Sequence, residues 1–505
     1  MRKEMESVVK NIVTSGYQIE EEAFRLLCDM LTKDGFDSLV EELINRANKE
    51  DPRPISITKD FVMRTITELA DKKKFIEPIA EVGLRTAKPL AKEIDSCIEV
   101  LDDPTDKIGS EGGVDDFKHY FRDRFEKISN ILRKRLDARD AISIERALEA
   151  APKERVKIIA MVMNKREGNR YLILEVDDLE STALILVSRD KNRQLLEKAQ
   201  RVVHDQILCI EAIRGSKDFL VATDFIFPDV PEKKVNKADV PVYVALLSDI
   251  HVGSRTFLDD SFNKFILWLN GKVGDPNQVE IAGKVKYVLI AGDLVDGIGV
   301  YPRQEEELIV KDVYEQYEMV AQYIEQIPDY IEVVIIPGNH DAVRQALPQP
   351  AISKEYAEPI YEAKSVISLG NPAKIKLHGV TFLLYHGRSL DDVIATLPNL
   401  SFQNPEKAME FLLKSRHLAL EYGKRTSIAP MKEDHLVIDE PPDAFQAGHV
   451  HVLKHEVYRG ISVVNSGAWQ GQTEYQKRMG LVPTPGILPL INLQTMNVSM
   501  INFRT

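Results

Sequence analysis

The 505-residue sequence predicts a multidomain α/β protein with a small N-terminal helical module, a five-stranded β-barrel and a C-terminal α/β domain. Three observations carry that reading. The length is about three times that of a common domain, so one core is not expected. Residues 156–227 alternate short β-rich segments with a single helical one. From 240 onward, hydrophobic strands run directly into small residues and a polar side chain. Composition is that of an ordinary folded chain, 44% hydrophobic and 29% charged, which excludes collagen-like, mucin-like and wholly disordered proteins. The net charge of −13 excludes bulk electrostatic capture of nucleic acid, so any DNA contact must be a local basic patch.

Residues 1–70 show helical spacing. Phe24, Leu27 and Leu31 share one stripe, Phe36, Leu39, Leu43 and Ile44 another, and Ser56 and Thr58 offer N-caps before Phe61, Met63, Ile66 and Leu69. With no catalytic constellation there, a docking module is expected. Between 71 and 114 the pattern weakens and ends in LDDPTDKIGSEGGVDD, read as a linker. A helix should follow over 115–150, with Phe117, Phe121, Ile128 and Leu132 packed on what comes next and its basic face in solvent or on DNA.

The segments VKIIAMVM, RYLILEV and STALILVS, the helix QLLEKAQRVV, then DQILCIEAIR and DFLVATDFIF give five strands with one helix after the third, an OB-type barrel over 151–230. Such barrels bind single strands through basic grooves and stacked aromatics. Lys165, Arg166, Arg170, Tyr171 and Arg214 are the candidates, and a protein-docking surface is the alternative. PDVPEKKVNKADVP, 228–241, reads as a connector to the last domain, 240–505.

Three cysteines, Cys28, Cys97 and Cys209, are odd in number and too far apart for a metal knuckle, which suits a reducing compartment. The first residues, MRKEMESVVKNIV, lack the apolar run of a secretory signal. No stretch approaches the ~18 apolar residues of a membrane span, so a cytoplasmic protein is expected.

The chemistry lies in five stretches of the last domain: VYVALLSDIHVGS, KYVLIAGDLVDG, IEVVIIPGNHDAVR, TFLLYHGRS and DAFQAGHVHVLKH. Each is a strand followed by a metal-competent side chain, and strand ends of an α/β sheet converge on one crevice. Gly292, Gly338, Gly387 and Gly448 adjoin these side chains and permit tight turns. The set is Asp249, His251, Asp293, Asn339, His386, His449 and His451. Two carboxylates, an amide and four imidazoles suit two divalent ions, with Asp293 as the natural bridge. Mixed nitrogen and oxygen donors without thiolates favour Mn, Fe, Zn or Co over Ca, while Mg prefers more oxygen. Asp296 and Asp341 are expected to hydrogen-bond ligands from behind. His378 and His455 read as ordinary surface positions. Arg344 and Arg388 adjoin the motifs and are candidates for a phosphate contact or a structural salt bridge.

The order DxH, GDxxD, GNHD, strand-ended HG, GHxH resembles the calcineurin-like metallophosphoesterase superfamily over about 240–470, which implies a metallophosphoesterase β-sandwich. GNHDAVRQALPQP (338–350), NSGAWQGQTEYQ (465–476), the barrel pattern and FRDRFEKISNILRKR narrow the resemblance to the archaeal family-D DNA polymerase small subunits, within the polymerase B-subunit family. That resemblance covers about 115–500 strongly and 1–70 loosely. It implies a metal-dependent 3′–5′ proofreading exonuclease carried beside a large catalytic polymerase subunit. Its substrates would be single-stranded or mismatched DNA 3′ ends, and a sliding clamp would be reached only through the complex. By matched position, Asp249, His251, Asp293 and His451 would hold one ion, Asp293, Asn339, His386 and His449 the other, with Mn the first choice. His340 would act on the scissile phosphate or the leaving oxygen. Eukaryotic relatives of this architecture have lost the ligands and serve as scaffolds, so a non-catalytic assembly subunit is the second reading. A metallophosphatase acting on another substrate is the third.

Overall fold

The computed structural model describes residues 88–504, apart from 108, 110–111, 216–218 and 364–365. Before residue 88 it describes 12, 15–20, 22–24, 27, 43–44, 46–48, 56–59, 61–63, 65 and 76–78. The chain divides into two compact units, Met1–Glu77 and Pro78–Thr505. In the first, Ile12, Tyr17, Leu27, Leu43, Ile57, Phe61 and Val62 form a small core. Thr58 caps the helical turn it precedes, its Oγ1 accepting from the Phe61 N–H at 3.1 Å, whereas Ser56 lies in the short parallel pair Gln18–Ile19 with Ser56–Ile57. Met63 is 46% exposed, because the buried face there is formed by Phe61, Val62 and Thr65. Leu31, Phe36, Leu39, Ile66 and Leu69 lie outside the described residues.

The second unit begins within the stretch read as a linker, and part of that stretch is ordered into a sheet. Strand β1 (Ile98–Asp102) pairs antiparallel with residues 374–377. Its side-chain pattern is too exposed to announce a strand, so what holds it is the backbone ladder and the packing of Ile98 on the core beneath.

Helix α1 (Val114–Arg133) follows, capped by the Asp116 carboxylate on the Gly113 N–H. Ile128 and Leu132 pack on Ile159, Met161, Ile207 and Cys209 of the barrel wall, as the spacing predicts. Phe117 and Phe121 set their edges against Tyr422. The basic face is not wholly in solvent. Arg124 is fully buried, donating from Nε to Asp434 Oδ2 (2.7 Å), from Nη1 to the Leu420 carbonyl (2.9 Å) and from Nη2 to the Tyr120 hydroxyl (3.0 Å). The same carboxylate oxygen lies 2.9 Å from His417 Nε2. Burial and the charge of Arg124 push His417 down to about 4, so the ring is neutral and the pair is arginine with aspartate.

After α2 (Ile144–Glu149) the chain forms β2 (Arg155–Glu167), β3 (Tyr171–Asp177) and β4 (Thr182–Ser188), then α3 (Arg193–Gln200), β5 (Ile207–Arg214) and β6 (Phe219–Ile226). These close into a barrel in the order β2-β3-β4-β6-β5, with β4 and β6 parallel. Alternate residues point inward, among them Ile158, Leu174, Ile185, Ile210 and Leu220, and fill it.

The remaining chain is a two-sheet sandwich with helices outside. It runs through β7 (Tyr243–Leu247), α4 (Asp259–Leu269), β8 (Val285–Ala291), α5 (Val313–Glu325), β9 (Glu332–Ile336), β10 (Val366–Ser368), β11 (Ala373–Leu377) and β12 (Val380–Leu384). Then come α6 (Leu390–Thr396), α7 (Pro405–Ser415), β13 (Ala444–Ala447), β14 (Lys454–Tyr458), β15 (Ile461–Asn465), α8 (Glu474–Arg478), β16 (Ile487–Asn492) and β17 (Val498–Asn502). One sheet contains β10-β9-β8-β7-β16-β17 in that order, and the other runs β14-β15-β13-β12-β11-β1. Strands β7, β8 and β9 are parallel, as are β12 and β13. These strands are hydrophobic on both faces because both are covered. Val244, Leu289, Ile336, Phe382 and Val464 meet between the sheets. Leu247, Val288 and Ile335 face the helices on one outside, and Leu383, Tyr385 and Phe445 those on the other. Among the described residues no helix is long and apolar enough to cross a membrane.

Removing one partner of a buried charge pair leaves the other uncompensated. Asp434→Ala should therefore lower unfolding stability by about 3–5 kcal/mol, measured by denaturant titration; a loss under about 1 kcal/mol would show that Arg124 is hydrated without its partner.

Candidate metal centre

All five motif loops leave the carboxyl ends of parallel strands. Asp249 and His251 follow β7, Asp293 and Asp296 follow β8, and Asn339, His340 and Asp341 follow β9; His386 and Arg388 follow β12, and His449 and His451 follow β13. Of these, His251, Asp293, Asp296, Asn339, His340, Arg388, His449 and His451 line a cleft of about 680 Å³. Asp249, His251 and His451 converge in one cluster, and Asp293, His386 and His449 in a second.

The separations fit metal coordination. Ions with bonds of ~2.1 Å place neighbouring ligand atoms about 3.0 Å apart in an octahedron and about 3.4 Å in a tetrahedron. Here His251 Nε2 and His451 Nε2 are 3.2 Å apart, and His451 Nε2 is 3.4 Å from Asp249 Oδ1. In the second set His386 Nε2 lies 3.0 Å from Asn339 Oδ1 and 3.3 Å from Asp293 Oδ2. Asp293 Oδ2 is also 3.7 Å from His251 Nε2, so one carboxylate reaches both clusters. Three imidazole nitrogens and two carboxylates packed this closely form a donor set that fits divalent cations.

Hydrogen bonds from behind set the ring orientations. His386 Nδ1 lies 2.9 Å from the Ala291 carbonyl, and His251 Nδ1 lies 3.0 Å from Asp296 Oδ1. Each Nδ1 therefore carries a proton, and Nε2 faces the centre. Asp296 is itself held by the amides of Gln304 (3.0 Å) and Gln470 (3.1 Å). His251, Asp296 and His340 also cluster, but the Asp296 contact there is this hydrogen bond to His251 Nδ1. Asp341 accepts from the backbone N–H groups of Asp293 (2.9 Å), Leu294 (3.2 Å) and Gly338 (2.8 Å), locking two loops together. Burial and the neighbouring charge of Asp293 raise Asp341 to about 6. Asp296 thus contacts His251, and Asp341 the backbone of the Asp293 and Gly338 loops.

The backbone is strained at the clustered residues. Asp249, His251, Asp293, His449 and His451 all have left-handed φ, between 53° and 67°. The loops also approach too closely for side chains at two glycines. A Cβ on Gly338 would collide with Asp293 Oδ1, and one on Gly448 with Asp249 Oδ2.

Other candidates separate. Arg388 lines the cleft, its Nη1 donating to Asp391 Oδ2 (2.8 Å). Arg344 does not: it donates to the Pro348 carbonyl and ties its own loop. Lys165 caps the carbonyls of Gln200 (2.7 Å) and Val202 (2.9 Å), and Arg214 bonds the Leu148 carbonyl (2.7 Å). Their charges serve the barrel itself. Arg166, Arg170 and Tyr171 are exposed on the β2–β3 hairpin, away from the cleft. His378 lies against Tyr287, and His455 bonds Ser462.

Sequence reasoning missed Asp391, Arg425 and Gln476. Asp391 Oδ2 is 3.3 Å from His449 Nε2, leaving Nδ1 of that ring for an ion. Burial raises the Asp391 carboxyl, but His449 and Arg388 outweigh it and hold the group at about 2, ionised throughout the neutral range. Its one sequence signal is position, five residues beyond the HG histidine.

A family model describing the B subunits of DNA polymerases alpha and epsilon matches residues 244–452. The DNA polymerase II small subunit of Methanothermobacter thermautotrophicus is 37% identical over 495 residues, 98% of this chain and 99% of that one. That of Pyrococcus abyssi is 43% identical over 394 residues, 77% of this chain; the aligned part spans 63% of that relative's length. Among solved structures, one described as a novel archaeal phosphodiesterase overlaps 52% of this chain and 99% of its own at 14% identity, with a TM-score of 0.25.

Burial opposes a charged His386, but the charge of Asp293 and its hydrogen bond win and raise the ring to about 9. An imidazole can bind an ion only in its neutral form, so an ion taken up at this ring has to displace that proton. Apparent Mn²⁺ affinity should rise with pH, about tenfold per unit for one displaced proton, and level off above about 9. Calorimetry across pH in buffers of different ionisation enthalpy measures the proton; an affinity flat between neutrality and that point would contradict it.

Proposed function

The chain belongs to the archaeal DNA polymerase II (family-D) small-subunit family, and from that premise we propose that its cleft is a two-metal 3′–5′ exonuclease that removes nucleotides from DNA 3′ ends. The observation that carries this is the pair of ligand clusters sharing Asp293. The 3′–5′ direction and the DNA substrate come from the family likeness. Mn²⁺ is the first choice for the ions, with Fe, Zn, Co or Mg as alternatives. The five-stranded barrel is read as OB-type, and the partner is a large catalytic polymerase subunit.

Bound in the two clusters, divalent ions supply a clamp for the scissile phosphate and an attacking hydroxide at neutral pH. Asp249, His251, Asp293 and His451 would hold one ion, and Asp293, Asn339, His386 and His449 the other. His340 has a different place. Its Nδ1 is 2.7 Å from the Asp296 carbonyl, which fixes the proton there and leaves Nε2 as the free nitrogen in the cleft. With a second proton on that nitrogen, the ring would donate a hydrogen bond to the phosphate or deliver the proton to the leaving oxygen. Arg388, oriented by Asp391, offers its remaining N–H groups to a phosphate oxygen.

The ligands are buried beneath the cleft mouth, so a paired end must first separate. Unpairing costs a few kcal/mol, less at a mismatch, which gives proofreading its selectivity. With a net charge of −13 the chain grips DNA weakly. A large subunit holding the duplex would deliver the frayed end at high effective concentration.

Loss of groups behind metal ligands commonly costs 10–100-fold, so direct ligands should matter more. Asp293→Ala and His451→Ala should each lower turnover on single-stranded DNA by at least ~100-fold while the fold survives; near-normal metal-dependent activity in both would remove the cleft from the reaction.

His340→Ala should retain its metal content but cut more slowly, because its role falls on the phosphate and not on the ions. Metal analysis beside kinetics decides: metal lost in step with activity would make His340 a ligand.

A further inference from the structure

The string NSGAWQGQTEYQ, 465–476, braces the centre at four points. Asn465 Nδ2 donates to the Gly448 carbonyl (2.8 Å), the Trp469 N–H to the Asp249 carbonyl (2.9 Å) and Gln470 Nε2 to Asp296 Oδ1 (3.1 Å). Gln476 Nε2 lies 3.0 Å from His451 Nδ1. Thr473 and Gln476 form a reciprocal capping box at the start of α8. The short helix is therefore mounted directly on the ligand loops.

That mount displays an aromatic. Tyr475 is 59% exposed and Met479, one turn on, is 52% exposed, and both line the cleft that ends at the ligands. Among the described residues nothing hydrogen-bonds the Tyr475 hydroxyl and no other ring packs on it. One exposed tyrosine is ordinary. This one stands at the mouth of a cleft whose basic side chains are Arg388, Arg425 and Arg478. A flat ring beside spaced guanidinium groups is the arrangement that receives a single strand, bases on the ring and phosphates on the cations.

We propose that Tyr475 is the stacking platform for a base at the unpaired 3′ end, with Met479 extending its face, so that it selects frayed over paired ends. This rests on reading the cleft as a nuclease centre. Stacking tolerates any base but requires a free face, which a base inside the duplex stack lacks. Selection thus depends on pairing and not on sequence.

The test uses the full-length chain in two assays. Fluorescence anisotropy with a labelled single-stranded oligonucleotide, in EDTA, measures binding without cleavage. Tyr475→Ala should weaken binding about ten- to a hundredfold, the range for losing one stacked base, whereas Tyr475→Phe and Tyr475→Trp should restore it. In the second assay, with Mn²⁺, Tyr475→Ala should narrow the rate difference between mismatched and matched primer ends. Equal oligonucleotide affinity in wild type and Tyr475→Ala would overturn the proposal, and equal affinity with weaker capture of the large subunit would assign the ring to a protein contact instead. If Tyr475-dependent binding holds while the wild type cuts nothing with Mn²⁺, the nuclease reading fails and the stacking role stands.

Discussion

Seven polar side chains have to reach one small volume, and the rest of the structure follows from that. In a strand, residues two apart share a face but sit about 7 Å apart along it, too far for both to meet one small ion directly. The DxH and HxH pairs are therefore carried on turns, and all four of their members, with Asp293, adopt left-handed backbone, with φ from 53° to 67°. Each such conformation costs of order 1–3 kcal/mol outside glycine. The loops keep it because their hydrogen bonds leave no alternative. Asp249 accepts from the His449 N–H (2.9 Å), and Asp341 holds the turns after β8 and β9 together. Gly338 and Gly448 remove the side chains that would keep those loops apart.

Strain of that size needs a stiff support, and the sandwich supplies it. The clustered side chains come from both sheets, three loops from β7, β8 and β9 and two from β12 and β13, so the spacing between the sheets sets the spacing of the clusters. The layer between them is mainly aliphatic and aromatic, and close packing resists relative shifts. Gln446 crosses this layer near its polar end, donating to the Leu247 carbonyl (2.9 Å) and Ser466 Oγ (2.9 Å). Farther out, α1 lies between the barrel and the sandwich, with Arg124 as its buried anchor.

The sequence was most informative where a function is written within a few residues. Strand, small residue and ligand are contiguous in all five motifs, and the barrel strands are short apolar runs between turns. It was least informative where partners are distant. Arg124 meets Asp434 across 310 positions, so a basic residue on a helix reads as solvated until the fold is known. Lys165 and Arg214 looked like groove cations but bond carbonyls beyond the reach of any local pattern. Strand β1 lacks alternation because its hold is mainly backbone pairing, and it was read as linker. Asp391 and Gln476 support ligands from behind and have no fixed spacing to them. Most of the evidence for the helical module expected in 1–70 falls outside the described residues.

Metal-dependent hydrolysis of DNA from its 3′ end is the role proposed for the Asp293-centred clusters. Digestion of a primer labelled at its 5′ end and mismatched at its 3′ end, by the chain alone and with its large subunit, tests it most directly. With Mn²⁺ the expected result is a ladder that keeps the label and shortens one nucleotide at a time, absent in EDTA and absent in Asp293→Ala. Release of the label as a short 5′ fragment, or an equal ladder from Asp293→Ala, would contradict it.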